Sequence, residues 1–344
     1  MFHRFRSRLV CVLCTAPLFV TAACAPGSGG GGGGGGGDDT SLSGQTIRLI
    51  IPSEAGGGFD TTMRQLQPAL EEQLEATLAV ENMEGGGFAI GTQAALNADQ
   101  NCTTVLFHGV PHLPFSYLTQ NVDYTVDDLA PVAGVTIEPG VFRVQDDAPY
   151  ETLQDLVDAA KADPGEITVS VSGKTSNNFV AMLALEEATG ADFNVVSYDG
   201  GGPSRTALIA GDVDATHAGV FNSLSIDDGT RALAVSLPEN DYPEVTDDAP
   251  TADEALGVEL PPNGSNYSIW VPKGCAEDYP ERHQQLVDAV KAATEDEDYV
   301  ATLEKLGAEK SIEYLDPDQL DTLTQESIRE IEGVLESDPD AFTE

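Results

Sequence analysis

Positive charge is what this sequence has least of. Lysine and arginine together number 16 against 58 acidic residues, a formal charge of -42. A phosphate backbone is gripped by clustered Lys and Arg, so this balance excludes a nucleic-acid partner. Anionic lipid repels such a surface, which excludes a peripheral membrane contact through the folded body. The acids are spread along the chain and read as a solvated exterior. Signatures of catalysis are equally sparse. Gly173-Lys174-Thr175 ends as a phosphate loop ends, but Val169 and its neighbours stand where the earlier glycine belongs. No Gly-x-Ser-x-Gly nucleophile elbow occurs. His108 and His112 are four apart, yet Pro111 breaks a helix between them and no acidic or cysteine partner stands at ligand spacing. His217 reads as a buried or cleft polar residue, and Asp127-Asp128 and Asp247-Asp248 as solvated loops. The chain is read as a binding protein without metal or cofactor, and not as an enzyme.

What is present begins with an export signal. Arg4, Arg6 and Arg8 precede an apolar run from Leu9 to Val20, too short to span a bilayer, and then Thr21-Ala22-Ala23-Cys24. Residues 1–23 are thus expected to be a signal peptide. The site resembles a bacterial lipobox with Cys24 as the lipid-bearing first residue, although Thr21 stands where Leu is usual. A plain signal peptide cut near Ala23 is the alternative. Gly29 to Gly37 is unbroken glycine, a flexible tether, so residues 24–45 are assigned to lipid anchor and tether. A tether directly after a lipidation site suits a body held at the outer face of the cell membrane or in the periplasm, touching the membrane only through its anchor. Cys11 and Cys14 leave with the signal, so Cys102 and Cys275 remain. In an exported protein they form a candidate disulfide; two separate buried thiols are the other reading.

The body repeats one device four times. Ile47 to Ile51 reads as a buried strand, followed by Gly56-Gly57-Gly58-Phe59-Asp60 and a helix with apolar positions at Met63, Leu66, Leu70 and Leu74. Asp60 or Thr61 is the expected N-cap, and Pro68 lies inside that helix. Leu78-Ala79-Val80, then Gly85-Gly86-Gly87-Phe88, then a helix from about Ile90 to Asn97 repeats the pattern. So do Ile167 to Val171 with Ser172-Gly173-Lys174-Thr175-Ser176, and Phe193 to Tyr198 with Gly200-Gly201-Gly202, where Pro203 is expected at the first helical position. Strands alternating with helices imply an α/β architecture with largely parallel sheets. Ligands then sit beyond the carboxyl ends of the strands, where helix amino ends present N–H groups to an anion. A very acidic protein can in this way hold a carboxylate largely through main-chain donors. Lys174 is a rare cation beside that cleft, read either as a partner for the carboxylate or as a solvated loop lysine.

Pro52-x3-Gly56-Gly57-x2-Asp60-x3-Arg64, followed by Val80-Glu81-Asn82-x2-Gly85-Gly86-x3-Ile90-Gly91, resembles the opening of the substrate-binding proteins of tripartite tricarboxylate transporters, the Bug family. Ser172-Gly173, Tyr198-Asp199-Gly200-Gly201, Gly211-Asp212-Val213-Asp214 and Leu303-x2-Leu306-Gly307 continue the likeness. The resemblance implies a type II periplasmic-binding fold, two α/β lobes joined by two crossing strands near residues 135–145 and 263–272. Residues 46–140 with 266–344 would form lobe one and 141–265 lobe two. It implies a small carboxylate ligand (a di- or tricarboxylate or similar organic acid) and integral-membrane permease subunits as partners; the chain itself is expected to be a monomer. By the same analogy Gly57, Gly58, Phe59, Asp60 and Thr61 contact ligand from lobe one, with Gly86, Gly87, Phe88 and Ala89. Ser172, Thr175, Ser176, Tyr198 and Gly200 do so from lobe two. Met83-Glu84 replaces the usual Arg-Pro, and Phe179 stands where His is common, which leaves the substrate open. Two other classes fit an anchored binding protein: one serving a different kind of importer, and a ligand-sensing subunit of a membrane kinase.

Overall fold

The computed structural model describes residues 40–337 and Phe342, so the signal peptide, Cys24 and the glycine run lie outside the described residues. In chain order the strands and helices are β1 (Thr46–Ile51), α1 (Gly58–Leu74), β2 (Thr77–Asn82), α2 (Ala89–Leu96), β3 (Thr104–Val110), α3 (His112–Leu118) and β4 (Leu129–Gln145). Then follow α4 (Leu153–Ala162), β5 (Thr168–Val171), α5 (Asn177–Thr189), β6 (Asn194–Ser197), α6 (Gly201–Ala210), β7 (Ala215–Gly219), β8 (Thr230–Val235), α7 (Ala252–Leu256) and β9 (Gly264–Pro272). The chain ends with α8 (Lys273–Asp278), α9 (Pro280–Thr294), α10 (Glu297–Glu304), β10 (Ile312–Leu315) and α11 (Pro317–Ser337).

The strands run in the order β2-β1-β3-β9-β4-β7-β5-β6, with β8 and β10 also paired to β4. Parallel trios stand at each end, β2-β1-β3 and β7-β5-β6, while β9 and β4 run antiparallel between them. The sheet is therefore mixed, less uniformly parallel than the alternating pattern implies. Parallel strands covered on both faces read as continuous apolar runs. In β1, Ile47, Leu49 and Ile51 enter one core cluster and Ile50 another on the opposite face. A separate cluster collects Phe142, Val144, Leu156, Val169, Met182 and Leu185 around β5 and α5. β4 serves both regions: Leu129 to Pro139 pairs with β9, and Gly140 to Val144 pairs with β7.

Local details correct the sequence reading. Gly57, not Asp60 or Thr61, is the N-cap of α1. The Asp60 carboxylate instead accepts from Gly56 N–H and from Arg64 Nε, each at 2.8 Å. α6 begins at Gly201, which puts Pro203 at its third position, where a missing N–H still costs no helical bond. Residues 40–45, assigned on sequence to the tether, are packed on the body. Leu42 is fully buried, its N–H donates to Gln285 Oε1 at 3.1 Å, and Gly44 N–H donates to Glu75 O at 2.8 Å. The first folded residues therefore precede β1. Cys102, in the turn before β3, is bonded to Cys275 in α8 across 173 positions of sequence. Among the described residues no helix is long and apolar enough to cross a membrane.

Candidate functional site

The glycine turns converge on one cavity of about 60 Å³. On one side it is walled by Phe59 and Phe88 with His112 and Tyr267. Phe59 stacks on Tyr267 with ring centroids 4.1 Å apart and meets His112 edge-on at 5.2 Å, while Phe88 packs on His108 and His112. Phe88 caps α2 with φ at +75°, a left-handed conformation that costs a bulky residue strain and persists only when neighbours enforce it. Gly58 lies so close to its neighbours that a Cβ there would stand 2.7 Å from both Asn222 Nδ2 and Tyr267 Oη.

The facing wall is polar. Ser172 Oγ donates to Asn178 Oδ1 at 2.7 Å, and the Asn178 amide lies 3.0 Å from His217 Nδ1. With Nδ1 accepting, Nε2 carries the proton and donates to Ser236 Oγ at 2.9 Å. The ring is thereby required to be neutral, and burial lowers its pKa to about 3. Burial lowers His112 to about 4, and burial with the neighbouring His112 lowers His108 to about 3.

Three charged side chains line the cavity: Glu54, Glu138 and Arg205. Glu138, in β4, is 6% exposed and its Oε1 accepts from Asn222 N–H at 3.0 Å. Burial pushes its pKa up to about 7, against the opposing pull of that hydrogen bond and of Arg205. Burial also raises Glu54, whose carboxyl group lies against Gly200, the N-cap of α6. The amino end of α6 is therefore already met by a carboxylate of the chain itself. Arg205, in α6, is 8% exposed. Among the described residues it has no ion-pair partner, its Nε has no hydrogen-bond partner, and burial lowers its pKa. Ser53 Oγ and His112 Nδ1, also in the lining, are buried without partners.

Of the residues expected at the site, Gly58, Phe59, Phe88, Ser172 and Gly200 line the cavity. Gly57, Asp60, Thr61, Gly86, Gly87, Ala89, Lys174, Thr175, Ser176 and Tyr198 do not. The reasons are local. Asp60 is held by Arg64 and Gly56; burial alone would raise its pKa, but these bonds and Asn82 outweigh burial and lower it. Ser176 caps α5, accepting from Phe179 N–H and donating to Gly173 O. Gly87 faces Gln120 and Thr175, and Tyr198 packs beside the cluster of Ala207 and Leu208. The cavity's cation is Arg205 in place of Lys174. Among the described residues no group of three His, Cys, Asp or Glu is placed to hold a metal ion.

Sequence reasoning missed Glu54, Glu138, Arg205, Asn222 and Tyr267. One of them left a signal: Glu138 is the only charged residue between Leu129 and Phe142, an acid inside an otherwise uncharged strand. Such an acid is rarely buried without a task.

A mixed α/β sheet with parallel trios at its ends and a small polar cavity beyond the strand-to-helix turns is the architecture of a solute-binding protein. The chain belongs to the tripartite tricarboxylate transporter receptor family, whose profile matches residues 62–337. It is 25% identical over 305 residues to a UPF0065 protein of Agrobacterium vitis encoded in the TAR-I ttuE-ttuC' intergenic region, covering 88% of this chain and 83% of that one. MatC of Rhodopseudomonas palustris, solved with malate, superposes with a TM-score of 0.73 at 24% identity, over 85% of this chain and 99% of that chain. A further R. palustris protein, solved with adipate, gives 0.74 at 21% identity, over 85% and 96%. At such identities the two structures speak for the fold.

Proposed function

We propose that this chain is an exported, lipid-anchored receptor that captures a small organic acid and delivers it to the membrane subunits of a tripartite tricarboxylate-type secondary transporter. In this reading residues 46–140 with 266–344 form one lobe and 141–265 the other, Cys24 carries the lipid, and the cavity is the ligand cleft. The observation that carries it is Arg205. A buried guanidinium without an ion-pair partner is costly, and a carboxylate supplies what it lacks in a bidentate geometry. Malate and adipate, bound by two proteins of the same fold, are ligands of that chemistry. Gly58 and Gly201, the first residues of α1 and α6, line the cavity and offer main-chain donors from the helix amino ends.

The test is thermal melting of the purified chain with citrate, succinate, malate, adipate, aspartate, glutamate and aromatic acids, with neutral sugars as controls. A ligand at about a hundred times its dissociation constant stabilises the native state by roughly 2.7 kcal/mol. At least one carboxylate is expected to give that shift, and Arg205→Met to abolish it while still melting cooperatively. Shifts with sugars alone, or an undiminished shift in Arg205→Met, would remove the carboxylate cleft.

A further inference from the structure

The charge inside the cavity does not suit a purely anionic ligand. Of its lining side chains, two are carboxylic acids, Glu54 and Glu138, and one is a fixed cation, Arg205. The two lining histidines, His112 and His217, are buried and neutral. From about pH 7 upward, where Glu138 gives up its proton, two carboxylates face one guanidinium and leave a negative surplus. A dicarboxylate or tricarboxylate enlarges it in a space removed from solvent, where like charges repel most strongly. Glu54 lies against Gly57 and Gly200, at the amino ends of α1 and α6. Glu138 is different: it is 6% exposed, lines the cavity, and has Asn222 N–H on one oxygen. A carboxylate offers about four acceptor positions, so one main-chain bond leaves most of its capacity for a ligand.

We infer that the ligand is a small zwitterion: its carboxylate is taken by Arg205 and its ammonium by Glu138. The inference rests on the carboxylate reading above and adds the second pole. A zwitterion brings no net charge, supplies the buried arginine with an anion and supplies the buried glutamate with a donor. Ser53 Oγ and His112 Nδ1, both buried without partners in the same lining, give further polar contacts to such a ligand. The aromatic wall of Phe59, Phe88 and Tyr267 sets the size of what lies between the two poles.

Calorimetric titration with matched pairs tests this: aspartate with succinate, glutamate with glutarate, and β-alanine with propionate. Each pair differs only in the ammonium group. In the native chain at least one amino-bearing member is expected to bind about tenfold or more tighter than its partner. Glu138→Gln should erase that preference while leaving the unaminated acid bound at least as well. If succinate, glutarate or propionate binds as tightly as its aminated partner, the zwitterion falls and the carboxylate receptor stands. If none of the six binds, the zwitterion falls, and the melting screen with citrate, malate, adipate and aromatic acids decides separately whether the carboxylate receptor stands. The comparison within the native chain needs no variant to fold.

Discussion

Replacing Cys102 and Cys275 with serine lowers the unfolding free energy by about 5 kcal/mol and the melting midpoint by roughly 10 °C. The size follows from loop closure. The bond joins positions 173 apart, so it removes far more freedom from the unfolded chain than a short-range bridge does. It ties the turn before β3 to α8 just after β9, and β3 and β9 are already neighbours in the sheet, so the native state has little to rearrange. Against a typical stability of about 5–15 kcal/mol, a loss of this size is a large share. Reductant on the unmodified chain should reproduce it. Denaturant unfolding of the double variant and of the reduced parent checks the value. A midpoint unchanged by either treatment would show that the bridge adds nothing to stability. Such bonds persist best in oxidising compartments, which accords with the export proposed above.

Stability should also fall steeply on mild acidification, by about 2.7 kcal/mol per pH unit between pH 5 and 6. His108, His112 and His217 have folded pKa values of about 3, 4 and 3, below their ordinary 6.5. In that window they are neutral when folded and protonated when unfolded, so unfolding takes up three protons. Their contribution is complete above pH 6.5 and is lost as pH falls toward the folded values. Glu138 acts in the opposite sense. Its folded pKa of about 7 lies above its ordinary 4.5, so the folded state holds a proton there that the unfolded chain releases. Three protons less one leave a net uptake of two. Denaturant titrations at half-unit pH steps in molar salt, which screens the acidic surface, read the slope directly. His217→Gln should reduce it by about one proton, or 1.4 kcal/mol per pH unit. A flat profile, or stability that rises on acidification, would mean the histidines are not held neutral.

Much of the fold was legible because its signals are local. Ile47 to Ile51 reads as an apolar strand interrupted only by Arg48, with its four apolar residues buried on both faces, and the four glycine or serine turns each open a helix where expected. The cavity was legible only at its rim. Gly58, Phe59, Phe88, Ser172 and Gly200 announce themselves through turn chemistry, which a sequence carries in adjacent letters. Its charged interior is assembled from distance. Glu138 sits 84 positions from the Asn222 N–H it accepts from, and Arg205 rides on a helix whose own sequence gives no hint of what faces it. Lys174 drew attention because it stands beside a turn, yet a turn residue serves the helix cap as readily as the cleft. Asp60 stands in the same turn as Gly58 and Phe59, but its carboxylate is engaged by Gly56 N–H and Arg64 Nε and it does not line the cavity.

β4 has a bearing on how the molecule comes apart. Seventeen residues long, it is hydrogen-bonded to β9 and β10 along its first part and to β7 and β8 along its second. Two hydrophobic cores thus share a single length of backbone, and fraying one end strips the ladder that the other depends on. The two regions are for that reason a poor candidate for melting one after the other. Coupled through a common strand, they lose their order together, as one cooperative unit.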